Sequence, residues 1–421
     1  MPAKLKLILI GNGMAGAKLL EELVETCLDK YEITVFGNEP YGNYNRIMLS
    51  PLLAGDKSLD DIIINGREWY EEHNITLHAG VDKEVVKIDR VHKQVITKDG
   101  STANYDRLVI ATGSKPFILP IEGNDLEGVM SFRDVADVNA MISAADQYKK
   151  AVVIGAGLLG LEAAMGLSIR GMDVTVVHNN SVPLNRQLDA EAGELLKAEL
   201  EERGLSFAMD ANTESIVGEN GHVTAVKIAD GRVIEADIVI MAIGIRPNFQ
   251  LAQDAELHCE RGIVVSDTLQ TYDPTIYALG ECIQHRGDTF GLVAPLYDQA
   301  KVLANHLSEH GVAQYATLPT ATKLKVTGIS LYSVGEFMGD EHTESLIYRD
   351  KSQSIYKKIV LKDQKIIGAV MYGDTLDGPF FQELMDNKID IQHIRPQLMF
   401  GRALCEPLLA DLEQIAKGEA A

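Results

Sequence analysis

The spacing of hydrophobic and polar residues near the start of the chain predicts a strand, a helix and a second strand in close succession. Residues 5–10 form an apolar run typical of a buried strand, and residues 15–25 place apolar side chains at helical spacing. The next apolar run, at 32–36, predicts another strand. This order indicates a βαβ unit with parallel strands.

The same pattern returns in the middle of the chain. Residues 151–154 predict a strand, 158–170 a helix and 173–177 a second strand, at nearly the same spacing as in the first copy. We therefore expect two α/β units of one type in this chain.

A glycine-rich turn connects strand and helix in each unit. Residues 11–16 read GNGMAG and residues 155–160 read GAGLLG, so both match GxGxxG. In such a motif the first glycine permits the tight turn, the second lets backbone approach a pyrophosphate, and the third lets the helix pack on the strand. Phosphates then bind at the helix N-terminus, where free N–H groups and the dipole favour negative charge. Two matches in the same context predict two dinucleotide cofactors.

Three more buried strands are predicted to end in small or acidic residues. They lie at 108–114 (LVIATGS), 238–247 (IVIMAIGIRP) and 275–281 (TIYALGE). Ligands bind at the carboxyl ends of parallel strands, so these ends are further candidate binding positions. Beyond them, 323–335 and 355–371 predict strands of a sheet, and 380–386 predicts a short helix.

Composition and charge narrow the class of protein. The 421 residues suggest about three domains at ~100–200 residues each. A net charge of −22 argues against nucleic acid as a partner, because phosphate binding requires clustered Lys and Arg. Neither a membrane span nor a signal peptide is predicted, so we expect a cytoplasmic protein. The four cysteines have no CxxC or CxxxxC spacing, which excludes a sequence-local redox disulfide or iron-sulfur loop.

Residues 306–310 match the HxxEH signature of some zinc proteases. They lie where a helix is predicted to end before Gly311, and histidines are favourable at a helix C-terminus. Because no third ligand can be identified, no metal is expected.

Together these segments resemble the two-dinucleotide flavoprotein reductases. These enzymes form a superfamily of FAD-dependent, pyridine nucleotide-disulfide oxidoreductase-like proteins. A narrower resemblance is to the flavoprotein portion of assimilatory NAD(P)H-nitrite reductase large subunits. It rests on three segments in order, namely 44–50 with 53–55, 177–178 with 185–189, and 280–287 with 292–296.

The resemblance implies an α/β fold with two Rossmann-like dinucleotide-binding domains and a C-terminal α+β interface domain. The FAD-binding domain, expected at 1–119 and 247–319, is interrupted by the NAD(P)H-binding domain at 120–246. Residues 320–421 form the interface domain, which makes a homodimer a possible assembly.

The resemblance also implies roles for residues on the flavin side. Glu39 lies near the adenosine ribose, Arg46 faces the diphosphate, and Glu281 accepts from a ribityl hydroxyl. Alternatives stay open for each of them. Glu39 can be a solvated loop charge, Arg46 part of a surface ion pair, and Glu281 a helix-capping acid. The full expected set is Gly11, Gly13, Met14, Ala15, Gly16, Glu39, Arg46, Val81, Ala111, Thr112, Gly113, Gly280, Glu281, Ala294, Pro295, Leu296 and Tyr297, with Gly244 as a further cofactor residue.

On the pyridine nucleotide side, the resemblance places Glu162 near the nicotinamide as the catalytic candidate, the alternative being an acid that complements the helix dipole. His178 stands where an acid would favour NAD and a nearby Arg would favour NADP. No Arg is close, so NADH is favoured over NADPH, although the preference stays open. The expected binding residues are Gly155, Gly157, Leu158, Gly160 and His178.

The implied activity is that of an FAD-dependent NAD(P)H oxidoreductase, in which NAD(P)H donates a hydride to the flavin N5 and electrons pass to a separate redox acceptor. That acceptor is an iron-sulfur or sirohaem nitrite reductase system or a protein of the rubredoxin or ferredoxin type. Disulfide reductases and NADH peroxidases are disfavoured, because residues 41–55 contain no cysteine. A flavin-binding redox sensor without rapid turnover stays open.

Overall fold

The computed structural model describes residues 3–309, 311–317, 321–326 and 328–419. Its strands are β1 (Leu5–Ile10), β2 (Tyr31–Gly37), β3 (Asn43–Tyr44), β4 (Ile63–Asn65), β5 (Thr76–Ala79), β6 (Val85–Asp89), β7 (Gln94–Thr97), β8 (Thr102–Asn104), β9 (Arg107–Ile110), β10 (Ser114–Pro116), β11 (Val129–Ser131), β12 (Lys150–Ile154), β13 (Asp173–Val177), β14 (Ser206–Ala208), β15 (Thr213–Glu219), β16 (His222–Ile228), β17 (Val233–Glu235), β18 (Ile238–Met241), β19 (Ile245–Pro247), β20 (Ile263–Val265), β21 (Ile276–Ala278), β22 (Ile283–His285), β23 (Thr322–Val326), β24 (Ile329–Gly335), β25 (Glu344–Asp350), β26 (Ile355–Lys362) and β27 (Lys365–Tyr372).

The α-helices connect these strands and cover the sheets. They are α1 (Met14–Thr26), α2 (Leu49–Ala54), α3 (Leu59–Ile62), α4 (Arg67–Glu72), α5 (Val135–Gln147), α6 (Leu158–Ile169), α7 (Ala190–Glu202), α8 (Gln250–Asp254), α9 (Val293–Leu307), α10 (Gly378–Asp386) and α11 (Arg402–Glu419). Short 3₁₀ turns lie at Leu28–Lys30, Arg46–Met48, Val81–Lys83 and Leu398–Phe400.

The chain divides into two compact units. The first consists of Met1–Ile118, Arg133–Met141 and Gly244–Leu318, and the second of Leu119–Phe132, Ile142–Ile243 and Pro319–Ala421. Each contains a parallel five-stranded sheet, in the order β21-β9-β1-β2-β5 in the first unit and β11-β18-β12-β13-β14 in the second. Strands buried on both faces explain the continuous apolar runs in the sequence.

Each parallel sheet is accompanied by a three-stranded antiparallel meander. In the first unit it is β6-β7-β8, and in the second it is β15-β16-β17. The apolar residues of β1, β2 and β9 form one core with α1 and α9, whereas β12, β13 and β18 contribute to a separate core. The expected fold class, two Rossmann-like domains and a C-terminal α+β part, is confirmed.

The C-terminal part of the second unit is an antiparallel sheet in the order β23-β24-β27-β26-β25. Alternate residues of β26 point to opposite faces, as expected of a strand. Ile359 and Leu361 join a core with Phe381 of α10, while Tyr356 and Lys358 reach a carboxylate at the start of α7. The sheet therefore packs between α10 on one face and α7 on the other.

The predicted elements of both βαβ units are confirmed, with ends that shift by a residue or less. The stretches 323–335 and 355–371 are predicted as strands, and each contains parts of two antiparallel strands. In the C-terminal part, β25 and α11 were not predicted from the sequence. In β25 most residues are exposed, so the sequence carries little apolar alternation.

Candidate cofactor-binding sites

The first glycine-rich turn is closely packed against its own strand and helix. Gly11 has a φ of +109°, and its amide donates to the carbonyl of Phe36 at 2.8 Å. A Cβ on Gly11 would lie 2.1 Å from the carbonyl oxygen of Ala111, and one on Gly16 would lie 2.4 Å from that of Gly11. In contrast, a Cβ on Gly13 would meet no described atom within 4 Å. The space beside Gly13, at the start of α1, is thus open to a phosphate.

Side chains from distant parts of the first unit hold this turn. The Asn43 carboxamide donates to the carbonyl of Asn12 at 3.1 Å, and the Tyr70 hydroxyl donates to the Asn12 side-chain oxygen at 2.7 Å. The Asn12 Nδ2 is buried and has no hydrogen-bond partner among the described residues. Buried donors are normally paired, so this atom fits a ligand oxygen at the turn.

Charged side chains meet at the carboxyl edge of the same sheet. Arg46 forms an ion pair with Glu39 and donates through Nη1 to the carbonyl of Arg133 at 3.0 Å. The Tyr44 hydroxyl donates to Glu39 at 2.7 Å, and burial raises the pKa of Tyr44, which keeps it a donor. Glu39 is therefore not a solvated loop charge. The ion pair considered for Arg46 exists, with its side chain 27% exposed.

Arg133 extends this cluster to the end of a third strand. Its guanidinium donates to Glu281, which also accepts from the Ser114 hydroxyl at 2.8 Å. Arg133 Nε is buried without a hydrogen-bond partner among the described residues. Arg133 was not predicted from the sequence, because this residue lies outside every motif and only the fold brings it to Glu281.

Most other residues expected at the flavin lie at the same sheet edge. Ala111, Thr112 and Gly113 follow β9, where the Thr112 hydroxyl donates to the carbonyl of Asn248 at 2.6 Å. Val81 opens the 3₁₀ turn after β5 and is 60% exposed. Gly244 precedes β19, and its carbonyl accepts from Phe117 at 2.9 Å.

The start of α9 lies close to the first turn. Gly280, with a φ of +91°, would bring an added Cβ within 3.1 Å of the Ala15 side chain, and its amide donates to Gln299 at 2.8 Å. Ala294, Pro295 and Leu296 form the first turn of α9. Tyr297 is partly buried and lies near Lys18 and Glu21 of α1, and burial raises its pKa.

The second glycine-rich turn repeats the backbone of the first. Gly155 has a φ of +110° and donates to the carbonyl of Val177 at 2.8 Å. A Cβ on Gly160 would lie 1.9 Å from the carbonyl oxygen of Gly155, whereas one on Gly157 would meet no described atom within 4 Å. Leu158 starts α6, and Glu162 lies one turn further along with a partly exposed side chain.

His178 lies beside this second turn, directly after β13. Its Nδ1 lies 3.3 Å from the amide of Ala156, and its Nε2 lies 3.2 Å from the side-chain oxygen of Asn185. An amide can only donate, so Nδ1 must be unprotonated and Nε2 carries the proton. Burial lowers the pKa of His178, which keeps the ring neutral at neutral pH.

The HxxEH segment does not assemble a metal site in the described chain. His306 lies in the last turn of α9, and its ring packs near Tyr277 with a centroid distance of 5.6 Å. His310 lies outside the described residues. The residues that are described contain no group of three or more His, Cys, Asp or Glu side chains arranged to hold a metal ion. All four cysteines are free.

Comparison with known proteins agrees with this geometry. The family model of the pyridine nucleotide-disulphide oxidoreductases matches residues 5–305, and that of the rubredoxin NAD+ reductase C-terminal domain matches residues 320–389. Within the described residues, no helix has the length and apolar character needed to cross a membrane.

Two similar proteins come from Bacillus subtilis (strain 168). Nitrite reductase (NAD(P)H) is 48% identical over 92% of this chain and 48% of its own length. The assimilatory nitrate reductase electron transfer subunit is 44% identical over 94% of this chain and 51% of its own. The chain thus spans about half the length of these curated relatives.

Among solved structures, NADH:rubredoxin oxidoreductase from Clostridium acetobutylicum superposes with a TM-score of 0.77 at 26% identity, covering 93% of this chain and 97% of that one. FAD and NAD(P)H, the cofactors expected from sequence, are those of this family and of reductases with this fold. With its two dinucleotide turns and a match over residues 5–305, the chain belongs to the pyridine nucleotide-disulphide oxidoreductase family.

Proposed function

We propose that this protein is an FAD-dependent NAD(P)H oxidoreductase that passes electrons to a separate redox acceptor, namely the nitrite reductase system of nitrite assimilation. The observation that supports the proposal most is the pair of glycine-rich turns, each at the carboxyl edge of its own parallel five-stranded sheet. The similarity to proteins named for nitrite and nitrate reduction supports the choice of acceptor.

The first unit supplies the flavin site in this proposal, with the FAD-binding domain at 1–119 and 247–319. Gly13 leaves room for the pyrophosphate, and Asn12 offers a buried donor that none of the described residues pairs. Arg46 and Arg133 supply cations whose forked N–H groups suit a diphosphate. When bound, FAD supplies the flavin ring, which takes a hydride from NAD(P)H and releases electrons one at a time.

The NAD(P)H-binding domain expected at 120–246, most of which belongs to the second unit, supplies the NAD(P)H site in this proposal. Gly157 and the free amides at the start of α6 suit the pyrophosphate. Both ring nitrogens of His178 face protein groups, so it offers neither a carboxylate for a ribose hydroxyl nor a cation for a 2′-phosphate. NADH stays the favoured coenzyme, because the residue directly after β13 is the neutral His178 and no Arg follows it closely in the sequence.

Glu162 is the proposed residue on the nicotinamide side. We expect Glu162→Ala to slow anaerobic flavin reduction by NADH by about tenfold or more, since a positioning error of 1 Å at a reacting group has effects of that order. Glu194→Ala, which removes an exposed acid from α7, is the charge-matched control. A parental reduction rate in Glu162→Ala would show that this role is wrong.

A second candidate function is reduction of a rubredoxin or ferredoxin. The match of residues 320–389 to the rubredoxin NAD+ reductase C-terminal domain favours it, as does the similarity to NADH:rubredoxin oxidoreductase. A flavin-binding redox sensor is the third hypothesis, and it predicts that NAD(P)H reduces the bound flavin slowly. A homodimer through residues 320–421 is a further part of the proposal.

Anaerobic bleaching of the flavin band tests these functions. The purified protein is mixed with NADH and NADPH separately, and then with ferricyanide, a rubredoxin or a sirohaem nitrite reductase. Rapid bleaching followed by faster reoxidation with the nitrite reductase than with rubredoxin supports the main proposal. A preference for rubredoxin supports the second candidate, and a bound flavin that neither nucleotide reduces contradicts both.

A further inference from the structure

The loop between β13 and α7 is hydrogen-bonded to the second glycine-rich turn. The Leu184 amide donates to the carbonyl of Ala156 at 2.9 Å, and Asn185 contacts His178, which in turn accepts from the Ala156 amide. Both the amide and the carbonyl of Ala156 are therefore hydrogen-bonded, the first to His178 and the second to Leu184. Leu184 is 1% exposed with a φ of +51°, a conformation that costs a non-glycine residue free energy and persists only where the surroundings impose it.

The same loop ends in a buried carboxylate. The Gln187 and Leu188 amides donate to the Leu184 carbonyl at 2.7 and 2.8 Å, which closes residues 184–188 into one compact turn. The next residue, Asp189, is the N-cap of α7 and accepts from the Ala192 amide at 3.1 Å. A short, hydrogen-bonded segment thus joins Asp189 to Leu184.

Asp189 is held in place by the C-terminal sheet. It is only 7% exposed, and its Oδ2 accepts from the Tyr356 hydroxyl at 2.7 Å and lies 3.4 Å from Lys358 Nζ. Burial raises the pKa of Tyr356, so the hydroxyl remains a donor. A buried carboxylate needs such partners, because losing one leaves its desolvation uncompensated.

We propose that Tyr356, in the C-terminal sheet, is a positioning residue for pyridine nucleotide binding: through Asp189 and the 184–188 turn, it fixes the Ala156 peptide in the geometry that receives the pyrophosphate. The inference rests on the proposed function, since it requires the second turn to be the nucleotide site. It assigns Tyr356 of β26 a part in nucleotide affinity in addition to any contact of this sheet with partners.

The structure offers a matched control for Tyr356. Tyr372 lies directly opposite it on β27, is 1% exposed, and donates to the Glu199 carboxylate on the same helix α7. Glu199 is in the body of the helix and far along the chain from the 184–188 turn. Tyr356→Phe and Tyr372→Phe therefore remove the same atom from equivalent surroundings, and only the first removes a bond to the loop.

The test is calorimetric titration of the FAD-loaded protein with ADP-ribose, which carries the pyrophosphate but no nicotinamide ring. For Tyr356→Phe we expect the Kd to rise about three- to tenfold, which corresponds to one lost hydrogen bond. For Tyr372→Phe we expect the parental Kd. With ferricyanide as acceptor, Tyr356→Phe should raise the KM for NADH and leave kcat unchanged.

Three results would overturn the inference. An equal rise in Kd for both variants would show that the sheet only stabilises α7 in general, and an unchanged Kd for Tyr356→Phe would show no coupling. Failure of the parent to bind ADP-ribose would overturn the proposed nucleotide site together with the inference, so the two failures are distinguishable. Flavin content and melting temperature establish that both variants fold, and faster hydrogen exchange at residues 154–160 in Tyr356→Phe alone would support the coupling directly.

Discussion

The two glycine-rich turns have nearly the same backbone, but different chemistry surrounds them. In the first unit, the residue between the first two glycines is Asn12, held by the Asn43 carboxamide and the Tyr70 hydroxyl. In the second unit it is Ala156, held by the His178 imidazole and the Leu184 amide. One motif thus gives one backbone, while residues far away in sequence decide how that backbone is supported.

The two sites also differ in the charged residues that surround them. Two arginines and two carboxylates line the carboxyl edge of the first sheet, namely Arg46, Arg133, Glu39 and Glu281. At the equivalent edge of the second sheet, the residue after β13 is a neutral histidine bonded to Asn185. We therefore expect the first site to retain its dinucleotide and the second to exchange it.

The largest effects are expected from the third glycine of each turn. Gly16→Ala and Gly160→Ala place a Cβ 2.4 and 1.9 Å from a backbone oxygen of their own turn, so the strand and helix must separate. We expect each variant to weaken binding at its own site by about 10- to 100-fold, as for overpacked cores, and to spare the other site. Flavin absorbance per protein and ADP-ribose calorimetry measure the two sites separately.

The second glycines provide the matched control. Gly13→Ala and Gly157→Ala add a Cβ that meets no described atom within 4 Å, at φ values of −78° and −79°. Their melting temperatures should stay parental, so any loss of ligand there reports the close approach of a phosphate. If Gly16→Ala retained full flavin while Gly160→Ala lost it, the assignment of the two turns would be wrong.

An intermediate effect is expected from the charged cluster. Arg133→Met removes the guanidinium that bonds Glu281, and we expect FAD affinity to fall about tenfold or more, in line with hydrogen bonds to charged groups. ADP-ribose binding should be unchanged. Arg232→Met, which removes an exposed arginine paired with Asp230, serves as the control and should leave both affinities at parental values. Equal flavin loss in both variants would contradict a specific role for Arg133.

The smallest effect concerns pH. Burial lowers the pKa of folded His178 below its ordinary value of ~6.5, so the unfolded chain takes up this proton first. The resulting loss of folding free energy is absent above pH ~6.5 and grows as the pH falls towards the pKa of His178 in the folded protein. We therefore expect His178→Asn, whose carboxamide does not titrate, to lose less melting temperature than the parent between pH ~7.5 and ~5.5. Asn43→Ala should lower the melting temperature equally at both values, and a parental pH slope in His178→Asn would refute this account.

Local sequence patterns predicted the glycine turns and both βαβ units well. The apolar run of β1 and the glycines at 11, 13 and 16 are next to each other in the chain, so their spacing alone was enough to predict the strand, the turn and the start of the helix. Glu39 and Arg46 were predicted from the sequence as cofactor-binding candidates. The sequence did not predict that their ion pair belongs to a larger cluster with Arg133. The exposed strand β25 was missed because packing at only a few positions defines it.

The amino-acid sequence alone determined the fold class, the two turns and the family resemblance, because strand periodicity and turn geometry are local properties. Only the tertiary structure brought Arg133 to Glu281, Tyr70 to Asn12, and Tyr356 to Asp189. These contacts join residues separated by tens to more than a hundred positions, and their partners are chosen by which strand ends and helix faces meet. No spacing rule in the chain encodes such a meeting, since it arises when the packed sheets bury these polar groups together.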